Sequence, residues 1–153
     1  MSRLMPVLLL ATAACTGAEP PGRQAAEPPP DRPADGQTPE GAGQARADRY
    51  RALGASFVGS GNEPGWLLAM WPDSVVLVAN YGADTLRFPP AEPEVLPDGR
   101  RLWGLQAGSR SLSLAISPEP CRDDMSGAAF PATIQYVLDS LTTLRGCGTP
   151  LGE

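Results

Sequence analysis

The sequence has no histidine and no lysine, and all twelve of its basic residues are arginines. Histidine is the usual general base beside a Ser or Cys nucleophile and the commonest transition-metal ligand, so its absence argues against catalytic triads and most zinc sites. Without lysine, serine–lysine dyads are excluded as well. Carboxylates, Cys, Tyr and Arg remain, which leaves paired-carboxylate hydrolysis as the one familiar enzymatic mechanism to consider.

The chain also lacks a dense basic run, and its net charge at pH 7 is -5. Neutralising phosphates requires clustered basic residues, so we expect no nucleic-acid partner. The chain has 153 residues, of which 18 are Pro and 17 are Gly, and this composition leaves room for one domain with a small core.

The N-terminal segment has the pattern of an export signal. Arg3 precedes an apolar run over residues 4–10, and small residues then lead into Cys15. This arrangement resembles the lipobox of bacterial lipoproteins, with Thr12 where Leu is typical, and the resemblance implies that Cys15 is acylated. Thr16 stands where an inner-membrane retention signal has Asp, which implies an anchor at the periplasmic face of the outer membrane. Plain secretion into the periplasm is the alternative.

A polar segment follows the cysteine. Residues 16–48 contain no Val, Ile, Leu, Met, Phe, Tyr or Trp and are rich in Pro, Ala and Gly. Such a segment cannot bury enough apolar surface to offset the entropy of ordering it. We therefore predict a lipoprotein-type signal peptide over 1–15, a disordered tether over 16–48 and a β domain over 49–153.

The C-terminal two thirds of the chain consist of short strands separated by turn residues. In "SLSLAIS", Leu112, Leu114 and Ile116 alternate with smaller residues, and "TIQYVL" alternates in the same way. Eight such segments predict an all-β fold, a small antiparallel meander closing into an approximately eight-stranded barrel without exposed edges. A two-sheet sandwich is the alternative, and only residues 123–129 have room for a short helix.

The cysteines that remain after Cys15 form an even pair. Cys121 and Cys147 would lie in an oxidising compartment, where disulfides form and persist, so we expect a disulfide between them. A redox or metal-binding pair is the alternative, but the chain offers neither C-x-x-C spacing nor a histidine to support it.

Two adjacent acids follow Cys121 in "CRDDMSG". Neighbours on extended backbone point to opposite faces, so Asp123 and Asp124 do not form a carboxylate pair on one substrate. We expect Asp123 and Ser126 to cap the turn, and we expect no metal, because the alternating oxygen donors of a Ca²⁺ loop are missing. Hydrolysis by Glu63 together with Asp123 or Asp124 is the enzymatic alternative.

Two further stretches carry candidate binding residues. Glu63 and Trp66 lie in "GNEPGW", where they are either a turn acid and a core plug or a rim that grips a ligand or partner. Met125 is an apolar side chain within a polar turn, so it either packs beneath its loop or faces a partner. The candidate binding set is therefore Glu63, Trp66, Asp123 and Met125.

Three motifs together resemble a family of uncharacterised bacterial envelope proteins, usually lipoproteins or predicted membrane proteins. They are "GNEPGW", "CRDDMSGAAFP" and "LRGCG", and they match the family patterns G-[TN]-E-P-x-W, C-x-D-x-M-S-x-x-x-[YF]-P and L-x-G-C. The residues that carry the resemblance are Gly61, Glu63, Pro64, Trp66, Cys121, Asp123, Met125, Ser126, Pro131, Gly146 and Cys147. The resemblance implies no known activity, and Gly65 stands where the family commonly has an aromatic residue.

These observations favour a non-enzymatic, lipid-anchored periplasmic β domain. We expect it to contact the membrane through its N-terminal lipid, to need no cofactor, and to bind an envelope protein, a glycan or a small ligand. The alternative is an interaction protein that inhibits a hydrolase such as lysozyme, as other small envelope lipoproteins of similar β architecture do. The acidic net charge would suit a basic hydrolase.

Overall fold

The computed structural model describes residues 38–152, so the predicted signal peptide, Cys15 and the tether up to residue 37 lie outside the described residues. The described chain forms one α-helix, one 3-10 turn and eleven strands. The bounds are α1 Pro39–Ala52, β1 Phe57–Asn62, β2 Gly65–Trp71, β3 Ser74–Ala79, the 3-10 turn Asn80–Gly82, β4 Asp84–Phe88, β5 Glu94–Val95, β6 Arg101–Ala107, β7 Arg110–Ser117, β8 Cys121–Arg122, β9 Ala129–Phe130, β10 Ala132–Leu138 and β11 Thr143–Pro150.

The predicted all-β antiparallel fold is confirmed. Nine strands form one sheet in the order β4-β3-β2-β1-β11-β10-β7-β6-β5, which curls into a half-barrel, and β8 pairs with β9 in a separate hairpin. The eight predicted segments correspond to the eight long strands, and the three additional strands have two residues each. Strand β1 pairs with β11, so the first and last strands of the domain are neighbours, as in a closed meander.

One pairing separates this sheet from a closed barrel, because no ladder joins β4 to β6. Between these strands the chain runs through "PPAEPEVLPDGR", and only β5 within it pairs, with β6. Proline has no N–H to donate and is confined to sheet edges, so the four prolines of this stretch keep the edge short. The half-barrel is therefore open along one side, with β4 and β5 as its edges.

The inner face of the half-barrel carries the main core. The buried core residues are Phe57, Trp66, Leu68, Val75, Leu77, Ala79, Phe88, Leu105, Leu112, Leu114, Ile116, Ala132, Ile134 and Tyr136. Residues opposite each other in the ladder define two ends: Gly61 pairs with Trp66 at one, and Phe57 pairs with Met70 at the other. We call the first, which carries the β1–β2 turn, the sealed end, and the second the open end.

Trp66 fills the interior at the sealed end. Its ring meets that of Tyr136 edge-on, with centroids 5.0 Å apart, and the indole is only 5% exposed. Glycines make the necessary room: a methyl at Gly61 would lie 2.5 Å from the indole nitrogen, and one at Gly146 would lie 2.7 Å from Cζ2 of the indole. Burial raises the pKa of Tyr136 to about 12, which keeps this hydroxyl neutral.

Helix α1 covers part of the outer face and corrects the predicted tether, whose residues 39–48 are helical. Thr38 caps the helix by accepting a hydrogen bond from the Gly41 N–H at 3.1 Å, and Pro39 occupies the first turn, where proline is tolerated. Ala47 is buried against Val58 and neighbouring residues of the sheet. The predicted tether is wrong over these residues because the contact uses alanine, whereas a buried helix is normally indicated by large apolar residues. Residues 123–129, the only segment thought to have room for a short helix, contain a turn and no helix.

Within residues 38–152, no helix is both long and apolar enough to cross a bilayer.

Candidate functional site

A disulfide joins Cys121 to Cys147, as the sequence predicts. The two Sγ atoms are 1.95 Å apart, and the Cα atoms are 5.4 Å apart. Cys147 lies directly opposite Ser60 in the ladder, so it projects from the same outer face that α1 covers. The bond therefore fastens the β8–β9 hairpin and its loop to the outside of the half-barrel.

Asp123 caps the turn of that loop. Its carboxylate accepts hydrogen bonds from the backbone N–H and the hydroxyl of Ser126, both at 2.7 Å. It also accepts one from the side-chain amide of Asn62 at 2.9 Å. This is the capping role expected from the sequence, extended by a contact to a distant strand.

These contacts also set the ionisation of Asp123. Partial burial raises the pKa of its carboxyl, but the hydrogen bonds from the Ser126 side chain and backbone, from Asn62 and from the Met125 backbone outweigh that effect. The net result is a pKa below the usual value for aspartate. Asp123 therefore stays ionised near neutral pH and does not have the raised pKa that a general acid needs.

Asn62 connects two of the sequence motifs. Its side-chain amide donates to Asp123 and also to Asp124, so the β1–β2 hairpin is tied to the loop that follows Cys121. In the turn that follows, the Glu63–Pro64 peptide bond is cis. The sequence does not indicate this role for Asn62, because an asparagine in a Gly- and Pro-rich turn is typical of a turn former.

Tyr81 is a site residue that the sequence analysis also missed. It has a φ of 55°, which bulky residues rarely adopt, and its side chain is 72% exposed. Its hydroxyl donates to the Glu63 carboxylate at 3.1 Å, and its ring lies over Gly65, where any side chain would collide with it. An aromatic ring thus occupies the space beside position 65, but it comes from the 3-10 turn between β3 and β4.

The predicted binding residues have different fates. Trp66 is buried in the core, so its assignment to a ligand-gripping rim is wrong and the core-plug interpretation is correct. Glu63 lies in the exposed β1–β2 turn, and Asp123 caps the loop. Met125 is 75% exposed, so it does not pack beneath its loop.

The three motifs meet at one surface cleft of about 420 Å³, which we call the motif cleft. It is lined by Gly61, Asn62, Glu63, Cys121, Arg122, Asp123, Asp124, Thr133, Thr143, Leu144, Arg145, Gly146 and Cys147. Charges of both signs therefore face the same space. Arg122 donates to the carbonyl oxygen of Gly127, whereas Arg145 takes part in none of the ion pairs among the described residues.

The motif cleft combines charged side chains with exposed apolar side chains beside it. The described part of the chain contains no group of three His, Cys, Asp or Glu side chains placed to hold a metal ion. All three acidic side chains of the motif cleft already accept hydrogen bonds from protein groups: Asp123 from Ser126, Glu63 from Tyr81 and Asp124 from Asn62. What the cleft offers to a partner is its mixed charge together with the exposed Tyr81 and Met125 beside it.

Comparisons of the chain with protein-family models, with curated proteins and with solved structures gave no match.

Proposed function

We propose that this chain is a non-enzymatic, lipid-anchored β domain at the periplasmic face of the cell envelope that binds an envelope protein. Binding would use the motif cleft together with the exposed side chains of Tyr81 and Met125, and we call this combined area the motif surface. The observation that carries the proposal is the exposure of these two large apolar side chains, 72% and 75%, beside one charged cleft.

Exposed apolar side chains of this size mark interaction sites when they cluster. Isolated surface hydrophobics need no explanation, but anchors set among polar groups are typical of protein interfaces. Tyr81 reaches the cleft through its hydrogen bond to Glu63, and Met125 directly follows Asp124, which accepts from Asn62. Leu141, also strongly exposed, lies in the β10–β11 turn that leads into the cleft lining.

The motif surface is also held in place before any partner arrives. The disulfide fastens one side of the loop, Asn62 ties the loop to the β1–β2 hairpin, and Asp123 closes the turn. Ordering a loop on binding costs free energy, so a preorganised surface retains more of its contact energy as affinity. The preorganised arrangement of the three motifs therefore supports a role of this surface in recognition.

Two features support a non-enzymatic role and an envelope location. The chain has no histidine, and the lowered pKa of Asp123 does not suit it to proton donation. The Cys15 pattern supports acylation, for which intact-mass analysis of the envelope-derived protein is the direct test. We expect a mass that includes acyl groups on Cys15; an unmodified mature chain in the periplasmic fraction would indicate plain secretion.

Site-specific photo-crosslinking tests the binding surface. A photoreactive amino acid at Met125 should give a discrete crosslinked species with an envelope protein in intact cells. The same amino acid at Leu53, an exposed residue at the end of α1 and not in the cleft lining, is the matched control. The proposal fails if position 125 gives no species beyond those obtained from position 53.

A second candidate, inhibition of a hydrolase such as lysozyme, is favoured by one observation. The loop that carries Met125 is fastened by the disulfide and has Asp124 beside its exposed tip, a form suited to insertion into a basic cleft. Micromolar protein should then slow lysozyme, and Asp124→Asn should weaken the inhibition. Undiminished lysozyme activity removes this candidate and leaves the binding proposal in place.

A further inference from the structure

The open end of the half-barrel contains a second cavity, of about 630 Å³, which we call the end cavity. Its lining comprises Ser56, Phe57, Met70, Gly99, Arg101, Trp103, Ile116, Pro118, Pro131, Ala132, Pro150 and Gly152. None of these residues except Pro131 belongs to the three sequence motifs. The volume falls within the range of roughly 300–1,000 Å³ that is typical of small-molecule sites.

The walls of the end cavity are continuous with the inner face of the sheet. Phe57 pairs with Met70, and Ile116 pairs with Arg101, so these side chains project to the same side as the core. The interior is closed by Trp66 and Tyr136 at the sealed end, but at the open end it reaches the surface. An apolar chain could therefore enter here and stack along Phe57, Met70 and Trp103.

Arg101 is the only charged residue in this lining. Arg101, Trp103 and Leu105 occupy alternate positions of β6, so their side chains project to the same inner face. Within residues 38–152, Arg101 takes part in none of the ion pairs. Its neighbour Arg100 differs, because its guanidinium pairs with Asp98 at 2.8 Å. A single unpaired guanidinium at the edge of an apolar cavity is a receptor for an anionic group, and its fork geometry matches a carboxylate.

We infer that the end cavity binds a free amphiphile with one carboxylate head group, of the long-chain carboxylic acid class, with the chain on Phe57, Met70 and Trp103 and the head group on Arg101. This site is separate from the motif surface. Different measurements therefore test the two proposals, and one can fail without the other.

Calorimetric titration of the full chain tests this inference, with Cys15→Ser present so that no acyl group of the protein competes. The probes are dodecanoate, dodecanol and dodecyltrimethylammonium, each used below its micellar concentration. We expect saturable one-to-one binding of dodecanoate, tighter than that of dodecanol by about tenfold, because a charge-assisted hydrogen bond adds to the same apolar burial. The cationic probe should bind most weakly of the three.

Two variants and one control locate the site. Arg101→Gln should bring the dodecanoate affinity down to that of dodecanol, whereas Arg100→Gln should leave it unchanged. Ser56 is exposed in the lining, so Ser56→Trp should block entry of both probes without disturbing the core. A circular-dichroism melt of each variant establishes that it is folded.

Several outcomes would overturn the inference. Equal binding of dodecanoate and dodecanol to the unsubstituted protein removes the head-group assignment, and unchanged binding by Ser56→Trp places the ligand elsewhere. Arg101-dependent association with phosphatidylglycerol vesicles, without binding of free dodecanoate, would assign the cavity to a membrane head group instead. Absence of saturable binding by any probe removes the cavity as a ligand site.

Discussion

The two ends of the half-barrel differ in how far side chains fill the interior. At the sealed end, the Trp66 ring fits against Tyr136 because Gly61 and Gly146 leave space for it. At the open end, side chains of comparable size stand around a cavity of about 630 Å³. The two ends therefore differ because an aromatic ring, packed beside two glycines, fills the interior at the sealed end only.

The same difference separates two kinds of recognition. At the sealed end Trp66 and Tyr136 occupy the interior, and the exposed side chains of Tyr81 and Met125 lie on the outside beside the motif cleft. At the open end the available surface is concave and apolar, with Arg101 as its one charge. We therefore expect a macromolecule at one end and a small amphiphile at the other.

The largest expected effect compares a tryptophan from each region. Trp66→Ala should lower the free energy of unfolding by about 3–5 kcal/mol, since it removes a buried ring and leaves a void behind. Trp103→Ala should cost about half as much, because Trp103 is only partly buried and the space it leaves opens to an existing cavity. Urea denaturation of both variants measures the difference, and equal losses would contradict the contrast between the two ends.

The next effect concerns the disulfide, whose two cysteines line the motif cleft and not the end cavity. Replacing both Cys121 and Cys147 with serine should cost about 3–4 kcal/mol, because the bond closes a loop in the unfolded chain. Photo-crosslinking from Met125 should fall with it, since the loop loses its attachment. The affinity of the folded fraction of the protein for dodecanoate should not change. A loss of both crosslinking and dodecanoate binding would show that the two ends are coupled.

The strands could be predicted from the sequence because alternating apolar residues and the turn residues between them are both local signals. In "SLSLAIS" the apolar side chains recur at every second position, and all three of Leu112, Leu114 and Ile116 are buried. The missing β4–β6 ladder could not be predicted in this way, because it depends on where two distant edges meet. Helix α1 could not be predicted because its packing uses a small residue, Ala47, which is buried only once the sheet residues Val58, Ala69 and Leu151 are assembled.

The candidate site was predicted only in part. The Asp123 cap follows from local turn chemistry, and the cysteine pairing follows from the even pair that remains after Cys15, so the sequence predicts both. Asn62 and Tyr81 were missed because their roles exist only after the β1–β2 hairpin meets the loop and the 3-10 turn. Trp66 is the opposite: it was a candidate binding residue but is not in the site. An aromatic residue in a turn-rich motif can be a surface anchor, and only the fold shows that this one is buried.

A smaller effect tests the glycines behind the plug. Gly146→Ala should cost about 1–3 kcal/mol, because its methyl would collide with the Ser60 carbonyl oxygen and strand β1 must move. Gly104→Ala is the matched control in another strand, since a methyl there meets nothing within 4 Å. We expect the control to be neutral or stabilising by about 0.5 kcal/mol, because alanine restricts the unfolded chain. Similar melting temperatures for the two variants would contradict the space argument.

The smallest effect contrasts two aspartates whose pKa is lowered in the fold. Asp98, in the turn next to the open end, owes its lowered pKa to hydrogen bonds with Arg100 in full exposure to solvent, and Asp123 owes its own to contacts that tie the loop together. Asp123→Ala should cost about 1 kcal/mol at neutral pH, as loss of a capping residue does, and Asp98→Ala should cost less because water screens its interactions.

The pH dependence follows from the direction of the shift. A carboxyl with a lowered folded-state pKa stabilises the protein above its unfolded value of about 3.9, and that contribution is lost as the pH falls through the folded pKa. The difference in urea midpoint between the unsubstituted protein and Asp123→Ala should therefore shrink between neutral pH and about pH 2. A difference that stayed constant over this interval would mean that Asp123 holds its loop through packing instead of charge, and the motif surface would then keep its shape in acid.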